Sequence, residues 1–112
     1  MSYKFSDCIC LQTPDIESAK EFYSRVMGLE IVKHDEKVLE LKAGQNRLFL
    51  DKGPHLGPIT EFLVPDLERA KTDLLKHGCE VVRWDGRGGC CYLQDPFGLI
   101  FNLFQESDYT KT

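Results

Sequence analysis

An internal repeat constrains this sequence more than any other feature. The segment at 14–20 returns at 65–71 with the same Pro-Asp beginning and the same Ala-Lys ending, and the segment at 28–33 returns at 78–83. The copies are 51 residues apart at the first segment and 50 at the second. Repetition at this interval indicates one supersecondary unit that is used twice.

Each copy predicts the same order of elements. An apolar strand precedes the Pro-Asp pair, an amphipathic helix follows it, and a glycine ends the helix before three further strands. Asp15 and Asp66 are placed to cap the helices, and Gly28 and Gly78 to end them in the left-handed conformation. The strands are predicted at residues 5–12, 29–34, 37–42, 47–52, 59–64, 79–84, 90–94 and 99–105.

The predicted fold is α+β, with two tandem βαβββ modules that form a mixed sheet. Because 112 residues suit one hydrophobic core, we expect a single domain over 1–112. Module 1 takes residues 1–52, a linker takes 53–58 and module 2 takes 59–112, with a loose polar tail after residue 105.

Composition and charge argue against nucleic acid and membranes as binding partners of this protein. The net charge is -4 and no basic stripe is present, which argues against nucleic acid. No apolar run approaches the roughly 20 residues of a membrane span, and no signal or transit peptide is visible, so we expect no membrane and a cytoplasmic location. The five cysteines are odd in number without a secretory context, which predicts reduced thiols.

Two motifs carry a resemblance that extends over nearly the whole chain. They are the run Asp15-Ile16-Glu17-Ser18-Ala19-Lys20-Glu21-Phe22-Tyr23 leading into Met27-Gly28-Leu29-Glu30, and Asp95-Pro96-Phe97-Gly98-Leu99 before the last strand. With them the sequence resembles the glyoxalase/bleomycin resistance/dioxygenase superfamily, also called vicinal oxygen chelate. The resemblance implies sheets curled into a cup, with helices outside and a small-molecule ligand in the concavity. It also implies a homodimer, although two modules in one chain could close a cup alone.

The resemblance also implies positions for a divalent metal. Family enzymes bind it through His, Glu or Gln on the first and last strands of each module, and counting from the motifs places these positions at Cys8, Phe49, Ile59 and Asn102. Only Cys8 is a strong ligand, so we expect no metal cofactor. His34, His55 and His77 fall at none of these positions. The alternative is a metal such as Zn or Fe on atypical ligands.

Strand alternation predicts which side chains face the cavity. Apolar residues such as Ile9 and Phe62 should face the helices, and the opposite set forms the candidate ligand site. That set is Cys8, Cys10, Gln12, Phe49, Glu61, Asn102 and Phe104, with Glu40, Arg47, Trp84 and Tyr92 as weaker candidates. Aromatic rings with a few polar groups are typical of a small-molecule pocket, and the alternative is that these rings only fill a core.

Two features of this set suggest chemistry. Glu61 is an inward carboxylate that either acts as a general base or is satisfied by an ion pair, for which Arg47 is the candidate, or by solvent at a rim. The cysteines are either small buried thiols or a cluster in which Cys8, Cys10 and one of Cys90 or Cys91 bind zinc, with Cys8 as a candidate reactive thiol.

The leading hypothesis is a metal-independent protein that binds a small, partly aromatic or cationic organic molecule, by analogy with the drug-sequestering resistance proteins of the family that it resembles. The alternative is a lyase, isomerase or dioxygenase of the same family, with atypical metal ligands or with Glu61 as base. A structural or interaction role is a third class, because fold alone does not determine function.

Overall fold

A computed structural model describes residues 2–110 of the chain, which is α+β as predicted. The described residues form eight strands: β1 (Lys4–Thr13), β2 (Glu30–His34), β3 (Val38–Ala43), β4 (Asn46–Lys52), β5 (Leu56–Val64), β6 (Glu80–Trp84), β7 (Cys91–Gln94) and β8 (Ile100–Gln105). The helices are α1 (Ile16–Glu21), which continues into a π-helical segment (Phe22–Val26), and α2 (Leu67–Lys76). All eight predicted strands and both helices are confirmed. Residues 1, 111 and 112 of the predicted modules lie outside the described residues.

The repeated Pro-Asp motif begins both helices in the predicted way. The Asp15 carboxylate accepts a hydrogen bond from the Ser18 backbone N–H at 2.9 Å, and Asp66 accepts the equivalent bond from Arg69 at 3.1 Å. Each bond satisfies a donor that the first helical turn leaves without an intrahelical partner. Gly28 and Gly78 have positive φ, and both predicted roles are therefore confirmed.

Contacts between residues divide the chain into two units. The first unit, Asp7–Ile59, orders its strands β2-β3-β4-β1, with a parallel pairing of β4 to β1 and antiparallel pairings elsewhere. In its core, Ile16 of α1 packs with Leu39 and Leu41, which are alternate residues of β3, and with Leu50 of β4. These leucines are at most 2% exposed, so one face of the sheet is sealed by the helix.

The second unit consists of residues 2–6 and 60–110 within the described chain. It follows the same plan, with the strand order β5-β8-β7-β6 and one parallel pairing, β5 to β8. Leu67 and Ala70 of α2 pack on Cys91, Leu93 and Leu103. We call the sheet face of each unit that lies opposite these helix contacts its helix-free face.

Each unit has a register irregularity at one end of its strand order, in β2 and in β6, that changes the alternation of side chains. The pairing of β2 with β3 shifts between Ile31 and Lys33, and that of β6 with β7 shifts between Val81 and Arg83. One extra residue opposes the partner strand at a shift of this kind, so residues after it point to the other face from simple alternation.

Two boundaries differ from the prediction. Strand β5 begins at Leu56, inside the segment predicted as a linker. The tail predicted to be loose begins with a 3-10 turn, Glu106–Asp108, in which Asp108 forms two hydrogen bonds with the guanidinium of Arg87. This pairing orders the turn, and no sequence pattern marks a contact between residues so far apart. None of the helices in residues 2–110 is long and apolar enough to cross a membrane.

Candidate functional site

A row of four polar side-chain positions crosses the helix-free face of the second unit. Strand register places Glu61 beside Asn102, Asn102 beside Tyr92, and Tyr92 beside Arg83. Glu61, Asn102 and Tyr92 are 6%, 4% and 0% exposed, respectively. Burying a carboxylate and an amide is costly unless each finds a hydrogen bond, so the partners of this row define its chemistry.

Asn102 joins the main chain to the carboxylate of Glu61. Its Oδ1 accepts the Cys91 backbone N–H at 2.7 Å, and its Nδ2 donates to Glu61 Oε2 at 2.6 Å. Because a backbone N–H is always a donor, the first bond fixes the orientation of the amide and directs its N–H₂ group at Glu61. The amide engages only Oε2 of Glu61, so Oε1 keeps its capacity to accept a hydrogen bond.

The structure gives Glu61 a partner that the sequence analysis does not include. Its hydrogen-bond partner within its own unit is the neutral amide of Asn102, which donates to Oε2. Its 6% exposure also excludes a solvated rim position. Sequence alternation places Glu61 on the correct face but carries no information on which strand supplies its partner.

The first unit has a matching row on its own helix-free face. Register places Cys10 beside Phe49, Phe49 beside Glu40, and Glu40 beside Lys33. The Arg47 guanidinium carbon lies 5.5 Å from the centroid of the Phe49 ring, within the range of a cation–π contact. Glu40 is 7% exposed, and its Oε2 is buried without a hydrogen-bond partner in residues 2–110.

The remaining predicted site residues are distributed over the two units. Cys8 of β1 is buried and donates its thiol to Asp7 at 3.6 Å, and Gln12 donates to the Pro54 carbonyl at 3.1 Å. Phe104 of β8 lies beside Leu63 and is half-buried. Tyr92 has the Arg83 guanidinium carbon 6.0 Å from its ring centroid.

Trp84 does not lie where alternation predicts it. It packs against the buried cluster around α2, and Lys71 Nζ of that helix lies 4.0 Å from the centroid of its ring. The register shift in β6 explains the error, because it pairs Trp84 with Cys91, a residue of the helix-facing core. Trp84 therefore lies on the helix-covered face, and its prediction as a cavity residue is wrong.

The interpretation of the cysteines as small buried thiols is confirmed for Cys8, Cys10, Cys79 and Cys91, and Cys90 is half-buried. None of the five forms a disulfide within residues 2–110. Burial raises the pKa of Cys91 to about 11 and also raises that of Cys79, so these two thiols are held in their unreactive form. No group of three or more His, Cys, Asp or Glu residues that could hold a metal is found within residues 2–110.

The four positions at which the family would hold a metal do not fit one. Phe49 and Ile59 offer no lone pair, and Ile59 is 1% exposed in a purely apolar role. Both ends of the Asn102 amide are committed, to the Cys91 N–H and to Glu61. Cys8 alone is a good ligand, whereas protein sites for zinc use three or four.

The first unit also contains a cavity of about 530 Å³, lined by Leu11, Gln12, Thr13, Ala19, Tyr23, Leu50, His55, Leu56 and Gly57. Gln12 anchors its wall by bonding Pro54, and Gly57 approaches β1 so closely that an added Cβ would lie 2.7 Å from a Leu11 methyl. Strand alternation does not predict Tyr23 and His55 as site residues. The sequence pattern assigns Tyr23 to the apolar stripe of the first helix, which predicts a packing role and does not distinguish it from a site residue.

The family model described as "Glyoxalase-like domain" matches residues 8–104. The chain belongs to this family. The match extends from the first strand to the last, so the glyoxalase-like domain accounts for both units, and the predicted superfamily is confirmed. No curated protein matches the chain.

Solved structures agree with the family. A hypothetical protein from Bacillus halodurans C-125 aligns over 100% of both chains, with 14% identity and a TM-score of 0.68, which shows the fold alone. An extradiol ring-cleaving dioxygenase from B. fuscum is 26% identical over 88% of this chain and 31% of its own, with a TM-score of 0.64. Homoprotocatechuate 2,3-dioxygenase from Brevibacterium fuscum, solved with 3,4-dihydroxyphenylacetate, is 25% identical over 88% and 35%, also with a TM-score of 0.64. The chain thus spans about a third of the dioxygenase chains.

Proposed function

We propose that this glyoxalase-like domain binds a small organic molecule on the helix-free face of the second unit, without the family's metal. The observation that carries the proposal is the Glu61 carboxylate, which is 6% exposed and held by one amide instead of a cation. A buried acceptor with one oxygen uncommitted suits a ligand that donates a hydrogen bond.

The surroundings of Glu61 support the same function. Asn102 is locked by the Cys91 N–H, so the carboxylate is oriented before a ligand arrives. The Tyr92 ring and the pair Leu63 and Phe104 supply apolar area on the same face. A few fixed polar groups among apolar side chains are the usual composition of small-molecule sites.

A thermal-shift screen tests the proposal. Wild type, Glu61→Gln and Trp84→Phe are heated with a panel of small aromatic alcohols, amines, amides and acids, and a binder raises the melting temperature by mass action. We expect stabilising compounds whose effect is lost in Glu61→Gln. Trp84→Phe is the matched control, because Trp84 lies on the helix-covered face, and it should keep the shift. A panel without any stabilising compound would reject the function.

The same geometry favours a second candidate, a lyase or isomerase in which Glu61 acts as the general base. Oε1 of Glu61 would accept a proton from the substrate while Asn102 continues to hold Oε2. Compounds found in the screen distinguish the two functions. An enzyme would convert them, and Glu61→Gln would abolish conversion; a binding protein would return them unchanged after long incubation.

A further inference from the structure

Glu40 has a buried carboxylate that the fold itself does not use. It lies on β3 between Leu39 and Leu41, both 0% exposed and packed in the core on the helix side, so alternation directs Glu40 to the helix-free face of the first unit. The residue is 7% exposed, and Oε2 has no hydrogen-bond partner within the described residues.

The strand neighbours of Glu40 do not supply a hydrogen bond to its Oε2 atom. Lys33, its register partner on β2, is exposed and makes no hydrogen bond to the buried oxygen. Phe49, its register partner on β4, offers a ring and no donor. Arg47, whose guanidinium lies near the Phe49 ring, forms an ion pair with Asp7, with 3.3 Å between Nε and Oδ1. A buried, unpaired carboxylate costs free energy that packing does not return.

The rows of the two units differ in the hydrogen bonding of their buried carboxylates. In the second unit Oε2 of Glu61 accepts a hydrogen bond from the Asn102 amide, whereas in the first unit Oε2 of Glu40 accepts none from the described residues. An ionised carboxylate is an acceptor only, and the strongest partner for it in a desolvated site is a positively charged N–H group. Phe49 beside it would cover the apolar part of such a molecule.

We propose that Glu40 is a recognition group for the positively charged nitrogen of a small ligand, such as an amine, amidine or guanidine, which lies against Phe49. This inference rests on the proposed small-molecule function, extends it to the helix-free face of the first unit and assigns the class of ligand bound there. It concerns a residue of the first unit and does not depend on whether Glu61 acts as a base.

Benzamidine and benzamide are matched probes, because they share size and shape and differ in charge. They are titrated into the ¹⁵N-labelled full chain for wild type, Glu40→Gln and Glu36→Gln, where Glu36 is an exposed glutamate of the same unit. We expect benzamidine to shift the amide signals of residues 40 and 49 and to bind wild type at least about tenfold more tightly than benzamide. Glu40→Gln should lose this preference, and Glu36→Gln should keep it.

The outcomes separate the two proposals. Equal binding of the two probes, no binding of benzamidine, or full retention of the preference in Glu40→Gln overturns the role of Glu40. If compounds of the thermal-shift panel still bind, the small-molecule function survives that result; if none binds, both proposals fail.

A second measurement needs no ligand. In the absence of any probe, Glu40→Met should raise the melting temperature, because it removes a buried charge without a partner, whereas Glu61→Met should lower it by leaving Asn102 without an acceptor. A lower melting temperature for Glu40→Met would show that the carboxylate serves the fold and would overturn the proposal.

Discussion

The side-chain amide of Asn102 donates to the carboxylate of Glu61 across 2.6 Å, and the same amide accepts the Cys91 backbone N–H across 2.7 Å. This bridge ties adjacent strands of the second unit together through side chains. It also leaves a carboxylate buried in one fixed orientation. The consequences for stability and for chemistry can be measured separately.

Asn102→Leu removes both hydrogen bonds at once while keeping a similar volume. Because it leaves a backbone N–H and a carboxylate oxygen buried without partners, we expect a loss of about 2–4 kcal/mol in the free energy of unfolding, measured by urea denaturation. The control is Asn46→Leu at an exposed position of β4, which should change stability by less than about 0.5 kcal/mol. Equal effects of the two variants would show that the bridge adds no stability.

The Cys91 thiol should resist alkylation in the folded protein. Burial raises its pKa to about 11, so at pH 8 only about one molecule in 1,000 carries the thiolate, and the side chain is 0% exposed. Iodoacetamide labelling followed by tandem mass spectrometry should modify the half-buried Cys90 first. Rapid modification of Cys91 under native conditions would contradict the burial of β7.

Arg87 and Asp108 should show a linked pH dependence. Hydrogen bonding to the Arg87 guanidinium lowers the pKa of the Asp108 carboxyl below its ordinary value. The stabilisation is therefore fully present above the ordinary pKa and is lost as the pH falls through the lowered value of the folded state. Carboxyl ¹³C NMR titration should show this lowered pKa in wild type and its return towards the ordinary value in Arg87→Gln. Arg87→Lys, which keeps the charge and loses the two-pronged geometry, should fall between them.

Gly57→Ala and Gly44→Ala separate steric overlap from backbone strain. Both glycines have positive φ, but an added Cβ at Gly57 meets Leu11 Cδ2 at 2.7 Å and the Cys10 carbonyl at 3.0 Å, whereas one at Gly44 meets nothing within 4 Å. We expect Gly44→Ala to cost about 1 kcal/mol and Gly57→Ala about 3 kcal/mol in the free energy of unfolding. Similar costs would mean that the 53–57 segment moves away from β1 without penalty.

The Gly57→Ala variant also reports on the cavity of the first unit. If the larger cost arises from the contact with β1, the crosspeaks of the cavity residues Leu11 and Thr13 should shift in the ¹⁵N spectrum of Gly57→Ala. The same two crosspeaks should not shift in the spectrum of Gly44→Ala. Unchanged signals at residues 11 and 13 would place the strain elsewhere.

The sequence by itself determined the elements and the family. The repeated Pro-Asp motif specifies two helix beginnings because a side-chain acceptor three residues before a free N–H is a local interaction, and both caps form. Alternation similarly placed Glu61, Asn102 and Phe49 on the face opposite the helices, because side chains of a regular strand point to opposite faces in turn.

Only the tertiary structure decided which residues meet. The shift in β6 turned Trp84 to the helix side, and this depends on how β6 pairs with β7 and not on either sequence alone. The partner of Glu61 comes from 41 residues away, and whether any of residues 2–110 donates a hydrogen bond to Oε2 of Glu40 depends on every strand around it. Spacing along the chain encodes periodicity and local caps, whereas the satisfaction of a buried polar group depends on three-dimensional packing of residues that are distant in sequence.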